Sequence, residues 1–221
     1  MSILVKICGI NSAEAADAAI RAGADFAGLV FHAASPRNLN PEQAASLAAR
    51  MRGRARIVAL VADADDEAIA LAMRTSQPDM IQLHGRETPE RAAAIRVQFN
   101  VPVMKAIAIA DAADLAQLPA YEKVADMLLF DAKAPANAAR QGGHGAAFDW
   151  QLLRGRNYTR PWLLAGGLHA ENVARAIHAC DAPGVDVSSG VETAPGIKSP
   201  DMIREFIAAA RAAHYAAEAR A

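Results

Sequence analysis

Short apolar runs alternate along the chain with alanine-rich segments of helical length, and polar or glycine-bearing turns separate them. The first run, Leu4-Val5-Lys6-Ile7-Cys8-Gly9, predicts a strand over residues 3–8. Strand side chains alternate between faces, so Lys6 and Cys8 share one. A helix to residue 22 follows, capped by Asn11 or Ser12 and stopped by Gly23. The same unit then recurs. Strands are expected at 25–31, 56–62, 79–83, 101–106, 126–130, 162–165 and 184–187. Helices are expected from Pro41, over 65–74, after the Thr88 cap with Pro89 in its first turn, and over 111–118, 149–153, 170–179 and 200–217. Two longer loops, 32–40 and 132–147, interrupt the rhythm, and the second holds Gly142-Gly143-His144-Gly145, either a lid over a site or a plain connection.

Eight strands alternating with helices, at about 25 residues per unit, fit a closed (β/α)8 TIM barrel of the α/β class, for which some 200 to 250 residues suffice. An open doubly wound sheet needs fewer strands and usually a glycine fingerprint after the first; Cys8-Gly9-Ile10-Asn11 is not one. With no linker and no break in composition, residues 1–221 are read as a single domain.

Composition narrows the function. The chain is 53% hydrophobic and 21% charged with formal net charge −1, which gives no electrostatic case for nucleic acid or an anionic membrane. No apolar run has the roughly 18 residues of a membrane span, and no signal peptide is apparent. Cys8 and Cys180 stand too far apart in sequence for a disulfide framework, so a reducing cytoplasm is expected. The six histidines show no zinc-type spacing, so no metal is expected.

In such a barrel the active site lies at the C-terminal ends of the strands. Cys8 ends the first strand, and the second leads to Ser35-Pro36-Arg37. His84 ends the fourth, Asp131 the sixth, Gly166-Gly167 the seventh, and Ser188-Ser189-Gly190 the eighth, which also carries Asp186. A thiol and a carboxylate across a barrel mouth suggest a base and an acid, although a free cysteine alone is more often core filler. Glycines after the seventh and eighth strands let backbone N–H groups approach an anion, and these are the usual phosphate loops of the fold. Arg37 is a candidate to grip a carboxylate, since guanidinium and carboxylate match bidentately. His84 either contacts ligand or finishes its strand. Cys180, Trp150 and Trp162 read as packing. Once the barrel closes, the strand of Asp186 neighbours that of Lys6, so an ion pair between them would make both tolerable inside.

Taken in order, the motifs resemble the phosphoribosylanthranilate isomerase family over nearly the whole chain. They are Val5-Lys6-Ile7-Cys8-Gly9, Ser35-Pro36-Arg37, Gln82-Leu83-His84-Gly85, Phe130-Asp131 and Gly142-Gly143-His144-Gly145 with Phe148-Asp149-Trp150. Leu164-Ala165-Gly166-Gly167-Leu168, Glu171-Asn172-Val173, Val185-Asp186-Val187-Ser188-Ser189-Gly190-Val191-Glu192 and Pro195-Gly196-Ile197-Lys198 complete the set. The resemblance implies a cofactor-free barrel that performs an Amadori rearrangement on a phosphorylated aminosugar. It implies Asp131 as general acid, Cys8 as general base and Arg37 on the anthranilate carboxylate. His84 and Asp186 join the substrate-binding set, and Gly166, Gly167, Ser188, Ser189 and Gly190 fall in the phosphate loops. The expected partner is that small substrate, with the chain a monomer or homodimer. The acid must be protonated where a free aspartic acid titrates near 3.9, and the base must be thiolate where a free cysteine titrates near 8.5. Burial would raise the first, and Lys6 would favour the second. The rival readings are another phosphosugar isomerase, which would want a metal cluster or an aspartate pair, and a silent phosphate-binding barrel.

Overall fold

The computed structural model describes residues 3–133 and 148–218. Eight parallel strand pairings close a barrel in the order β1 to β8, with β8 returning to β1. In chain order the elements are β1 (Leu4–Cys8), α1 (Ala13–Ala22), β2 (Phe26–Val30), α2 (Pro41–Met51), β3 (Arg56–Val61), α3 (Asp66–Ser76), β4 (Met80–Leu83) and α4 (Pro89–Gln98). Then come β5 (Val103–Ile109), α5 (Leu118–Glu122), β6 (Met127–Ala132), β7 (Trp162–Leu164), α6 (Val173–Cys180) and β8 (Gly184–Val187). A small hairpin of β9 (Glu192–Ala194) and β10 (Ile197–Lys198) precedes α7 (Pro200–Glu218).

The strands read as near-continuous apolar runs because both faces are covered. One face meets the helices. The other fills the barrel with Phe26, Val58, Met104, Ala106, Met127, Leu129, Leu163 and Ala165. By register Lys6 stands beside Phe26 on one side and Asp186 on the other, so both charges belong to this inner face. Asp131, two residues beyond Leu129, shares it, as does Gln82 beside Met104.

Helix starts follow local chemistry. The Ser12 side chain accepts from the Ala15 N–H, Thr88 accepts from Arg91, and Asn40 with Gln43 forms a full capping box before Pro41. Gly23 ends α1 in the left-handed region, at φ 82°.

Three expectations change. The helix expected at 170–179 begins only at Val173, because the Asn172 side chain accepts from His169 N–H and donates to Gly167 O, spending the first turn on a loop staple. The helices expected at 111–118 and 149–153 are 3-10 turns, Ala112–Gln117 running into α5 and Trp150–Leu153. The β9–β10 hairpin was not anticipated. The Gly142–Gly145 segment lies outside the described residues.

Candidate active site

The strands bring the site residues to the barrel mouth in three groups. The first forms where β1 meets β8. Lys6 Nζ donates to Asp186 Oδ1 at 2.8 Å, and the Lys6 side chain is fully buried. The ion pair expected from the sequence is therefore present. Cys8 follows one pleat nearer the mouth and is also buried. Gly28 faces it across the β1–β2 pairing: a Cβ there would come within 3.0 Å of Cys8 Sγ and 3.4 Å of Lys6 Nζ. The missing side chain gives the thiol and the ammonium their room.

Charge and burial oppose each other here. Burial, the largest influence, pushes the Cys8 thiol up; Lys6 and Lys198 pull it down, Asp186 adds to the rise, and the balance stays above the ordinary cysteine value. Lys6 thus favours the thiolate, as expected from the sequence, but burial outweighs it. Burial also pulls Lys6 down, yet Asp186 and Cys8 together leave it above the ordinary lysine value. Lys6 therefore stays charged, while the thiol of the unliganded protein is held protonated at neutral pH.

The second group spans β4 and β6. Asp131 Oδ1 accepts from the Ala132 N–H at 2.9 Å, and Oδ2 lies 3.1 Å from His84 Nε2. His84 Nδ1 in turn lies 2.7 Å from Gln82 Nε2. Gln82 is fully buried inside the barrel, and its Oε1 has no hydrogen-bond partner among the described residues. With the Gln82 amide donating, the imidazole carries its proton on Nε2 and donates to Asp131. Gly166, at φ 85°, closes the group: a Cβ there would reach 2.6 Å from Ala132 N and 3.2 Å from Asp131 Oδ1. Only glycine satisfies both that dihedral and that approach.

The third group joins the loop after β2 to the hairpin after β8. Arg37 is only 5% exposed, with its stem lying across Gly9. Its Nε and Nη2 donate to the two Glu192 oxygens at 2.6 and 2.7 Å. Lys198 Nζ donates to Glu192 Oε1, at 2.8 Å, and to Ser188 O. Burial alone would raise Glu192, but Arg37 and Lys198 hold it below the usual carboxylate range. Burial pulls Lys198 down, and Glu192 only partly restores it.

The two glycine loops touch each other. Gly166 and Gly167 are both left-handed, and a Cβ on Gly190 would collide with the Leu168 carbonyl. Ser188 is less free than its place in the sequence suggests: its hydroxyl donates to Cys8 O at 3.1 Å and accepts from Lys198 at 3.2 Å. Ser189 opens a 3-10 turn to Val191. No group of three or more His, Cys, Asp or Glu side chains able to hold a metal occurs among the described residues.

Sequence reasoning missed Glu192, Lys198 and the roles of Gln82 and Gly9. Glu192 and Lys198 flank Pro195-Gly196, a turn signal that went unread and that does not by itself say which side chains the turn brings together.

The family model described as N-(5'phosphoribosyl)anthranilate (PRA) isomerase matches residues 5–209. The chain belongs to the phosphoribosylanthranilate isomerase family. A family member from Rhodopseudomonas palustris strain BisA53, named N-(5'-phosphoribosyl)anthranilate isomerase, is 54% identical over 212 residues, 96% of this chain and 97% of its own. The phosphoribosyl anthranilate isomerase of Thermotoga maritima superposes with a TM-score of 0.84 at 33% identity, covering 95% of this chain and 99% of its own. Another solved family member, in complex with reduced 1-(o-carboxyphenylamino)-1-deoxyribulose 5-phosphate, gives a TM-score of 0.81 at 32% identity, with 95% and 99% covered.

Proposed function

We propose that the three groups at the mouth are the base, the acid and the carboxylate clamp of an Amadori rearrangement. The chain converts N-(5-phosphoribosyl)anthranilate to 1-(2-carboxyphenylamino)-1-deoxyribulose 5-phosphate, a step of tryptophan biosynthesis. The observation that carries the residue roles is the placement of Cys8 and Asp131 on the inner face of β1 and β6, each ringed by partners that fix it.

In this reading the protonated Asp131 carboxyl gives its proton to the furanose ring oxygen. The C1–O bond breaks as the anilino nitrogen lone pair forms a Schiff base. Cys8 acts in its thiolate form, the minor form that Lys6 favours against burial; it removes the proton from C2, and the electron pair moves into C1=C2 to give an enolamine. Protonation at C1 and loss of the hydroxyl proton yield the ketone. The substrate has gained one proton on oxygen and lost one from C2, so one proton must pass back from the thiol to the carboxylate before the next turnover. Arg37 receives the anthranilate carboxylate, with His84 and Asp186 bordering the sugar. The phosphate sits between Gly166-Gly167 and Ser188-Ser189-Gly190, where backbone N–H groups converge. Because the Ser188 hydroxyl is already engaged, its contribution comes from its main chain.

No cofactor enters these steps. No described helix is long and apolar enough to cross a membrane. Two free buried cysteines suit a cytoplasmic enzyme, read here as one domain acting as a monomer or homodimer.

The test generates the substrate in place and follows its fluorescence as it is consumed. Cys8→Ala and Asp131→Asn are each expected to lower kcat by roughly 10²- to 10⁴-fold while binding of the reduced product survives. Full turnover by either variant removes that residue from the mechanism.

A further inference from the structure

Glu192 and Lys198 sit behind the proposed carboxylate clamp and take no part in the proton transfers. Both side chains are buried, at 3% and 0% exposure. Solvating charge belongs on the surface; charges this deep persist only where each finds partners. Here the partners are specific. Glu192 holds the Nε–Nη2 edge of Arg37 with both oxygens. A guanidinium has five N–H donors in a planar fork, so three remain, and two of them form the second, Nη1–Nη2 edge. That edge is the one left to meet a ligand carboxylate bidentately.

We propose that Glu192, held by Lys198, is a positioning residue that aims the free edge of Arg37 at the substrate carboxylate. The inference rests on the assignment of Arg37 to that carboxylate. Two further features support it. The first is charge: an Arg–Glu pair alone is neutral and attracts an anion poorly. A protonated Lys198 puts the cluster one positive charge in excess, so the clamp is cationic although Arg37 is already paired. The second is placement. The hairpin turn packs on the clamp loop itself: a Cβ at Gly196 would come within 2.6 Å of Pro36 O, Gly196 N–H donates to Glu192 Oε2, and Asn11 Nδ2 donates to Gly196 O. Lys198 also reaches Ser188, whose hydroxyl bonds Cys8 O. The hairpin thus ties the carboxylate clamp to a phosphate loop and to the strand end bearing the base.

The experiment compares two ligands by calorimetry: reduced 1-(o-carboxyphenylamino)-1-deoxyribulose 5-phosphate and the same compound without its ring carboxyl. The ratio of their dissociation constants reads the clamp alone, since sugar and phosphate are common to both. Glu192→Gln is expected to weaken the carboxylated ligand by roughly tenfold or more and the other by no more than about twofold. Glu192→Asp, which keeps the charge, should recover part of the ratio, and KM should rise while kcat stays within about threefold. Lys198→Met, which leaves the Arg37–Glu192 pair in place, should shift the ratio the same way and reads it even if Glu192→Gln does not fold. Equal losses for both ligands, or no loss for either, overturn the proposal. Arg37→Met separates the two levels: if it too preserves the ratio, the clamp assignment falls; if it abolishes the ratio while the Glu192 and Lys198 variants keep it, only the present inference falls.

Discussion

The two sides of the barrel mouth are built from different materials. Around Cys8 the partners are full charges: Lys6, Asp186 and, through the hairpin, Lys198. Around Asp131 they are a neutral amide chain, with Gln82 on His84, His84 on the carboxylate and a backbone N–H on the other oxygen. The difference matches the roles proposed for the two groups. A buried thiol resists ionisation, and only nearby cations work against that. A general acid must keep its proton, which a lysine or arginine in contact would expel. None of the side-chain hydrogen bonds and ion pairs of Asp131 among the described residues comes from Lys or Arg. Cys8 thus sits among full charges and Asp131 among dipoles.

The comparison breaks most visibly at Lys6. Lys6→Met strands Asp186 as a buried unpaired carboxylate, and losing one member of a buried pair typically costs about 3–5 kcal/mol, to be read from urea unfolding. In the same variant Cys8 loses a cation, so the pH at which iodoacetamide begins to alkylate it should move upward. An unmoved alkylation profile would mean that Lys6 serves the fold and not the thiol.

On the other side the expected loss is smaller and different in kind. His84→Gln should lower kcat by roughly tenfold with KM little changed, because the acid loses its orienting partner. Gln82→Leu should do less, since it removes only the group that orients His84 and also removes an unpartnered buried oxygen. A stability loss like that of Lys6→Met, with kcat intact, would erase the distinction between the two sides.

The smallest effect sharpens the thiol argument through Cys180. It is buried in α6, donates to Ala176 O within that helix, and is pushed up to about 12, chiefly by burial and then by Asp181. A thiol raised in the folded state binds more protons there than when unfolded. Its contribution is complete below the unfolded value near 9 and is lost as pH climbs toward 12. Thermal midpoints measured from pH 8 to 11 should fall, and Cys180→Ala should flatten part of that decline.

The barrel and half of its mouth were legible from the residues because burial writes itself into a strand. A lysine and an aspartate inside apolar runs have few places to go, so closing β8 on β1 predicted their meeting. The Asp131–His84 contact was harder. Both residues were placed at the mouth, but adjacency across β4 and β6 depends on the accumulated stagger of the strands between them. The Arg37 cluster was out of reach. β9 and β10 are three and two residues long, too short to show alternation, and their charges look like any solvated loop. The late start of α6 escaped for a similar reason: Asn172 resembles ordinary helix sequence until its side chain is seen bridging the turn.

The Lys6–Asp186 bond joins residues 180 positions apart. Synthesis on the ribosome gives that number a meaning in time. While the first strand emerges, and through seven more units, Lys6 has no counter-ion and the barrel has an open seam. The loop to be closed is among the longest the chain contains, and such non-local pairing forms late. The Cys8 thiol therefore gains its electrostatic setting in the last stage of assembly. A nascent or truncated chain that stops short of β8 carries the cysteine but not its charged setting.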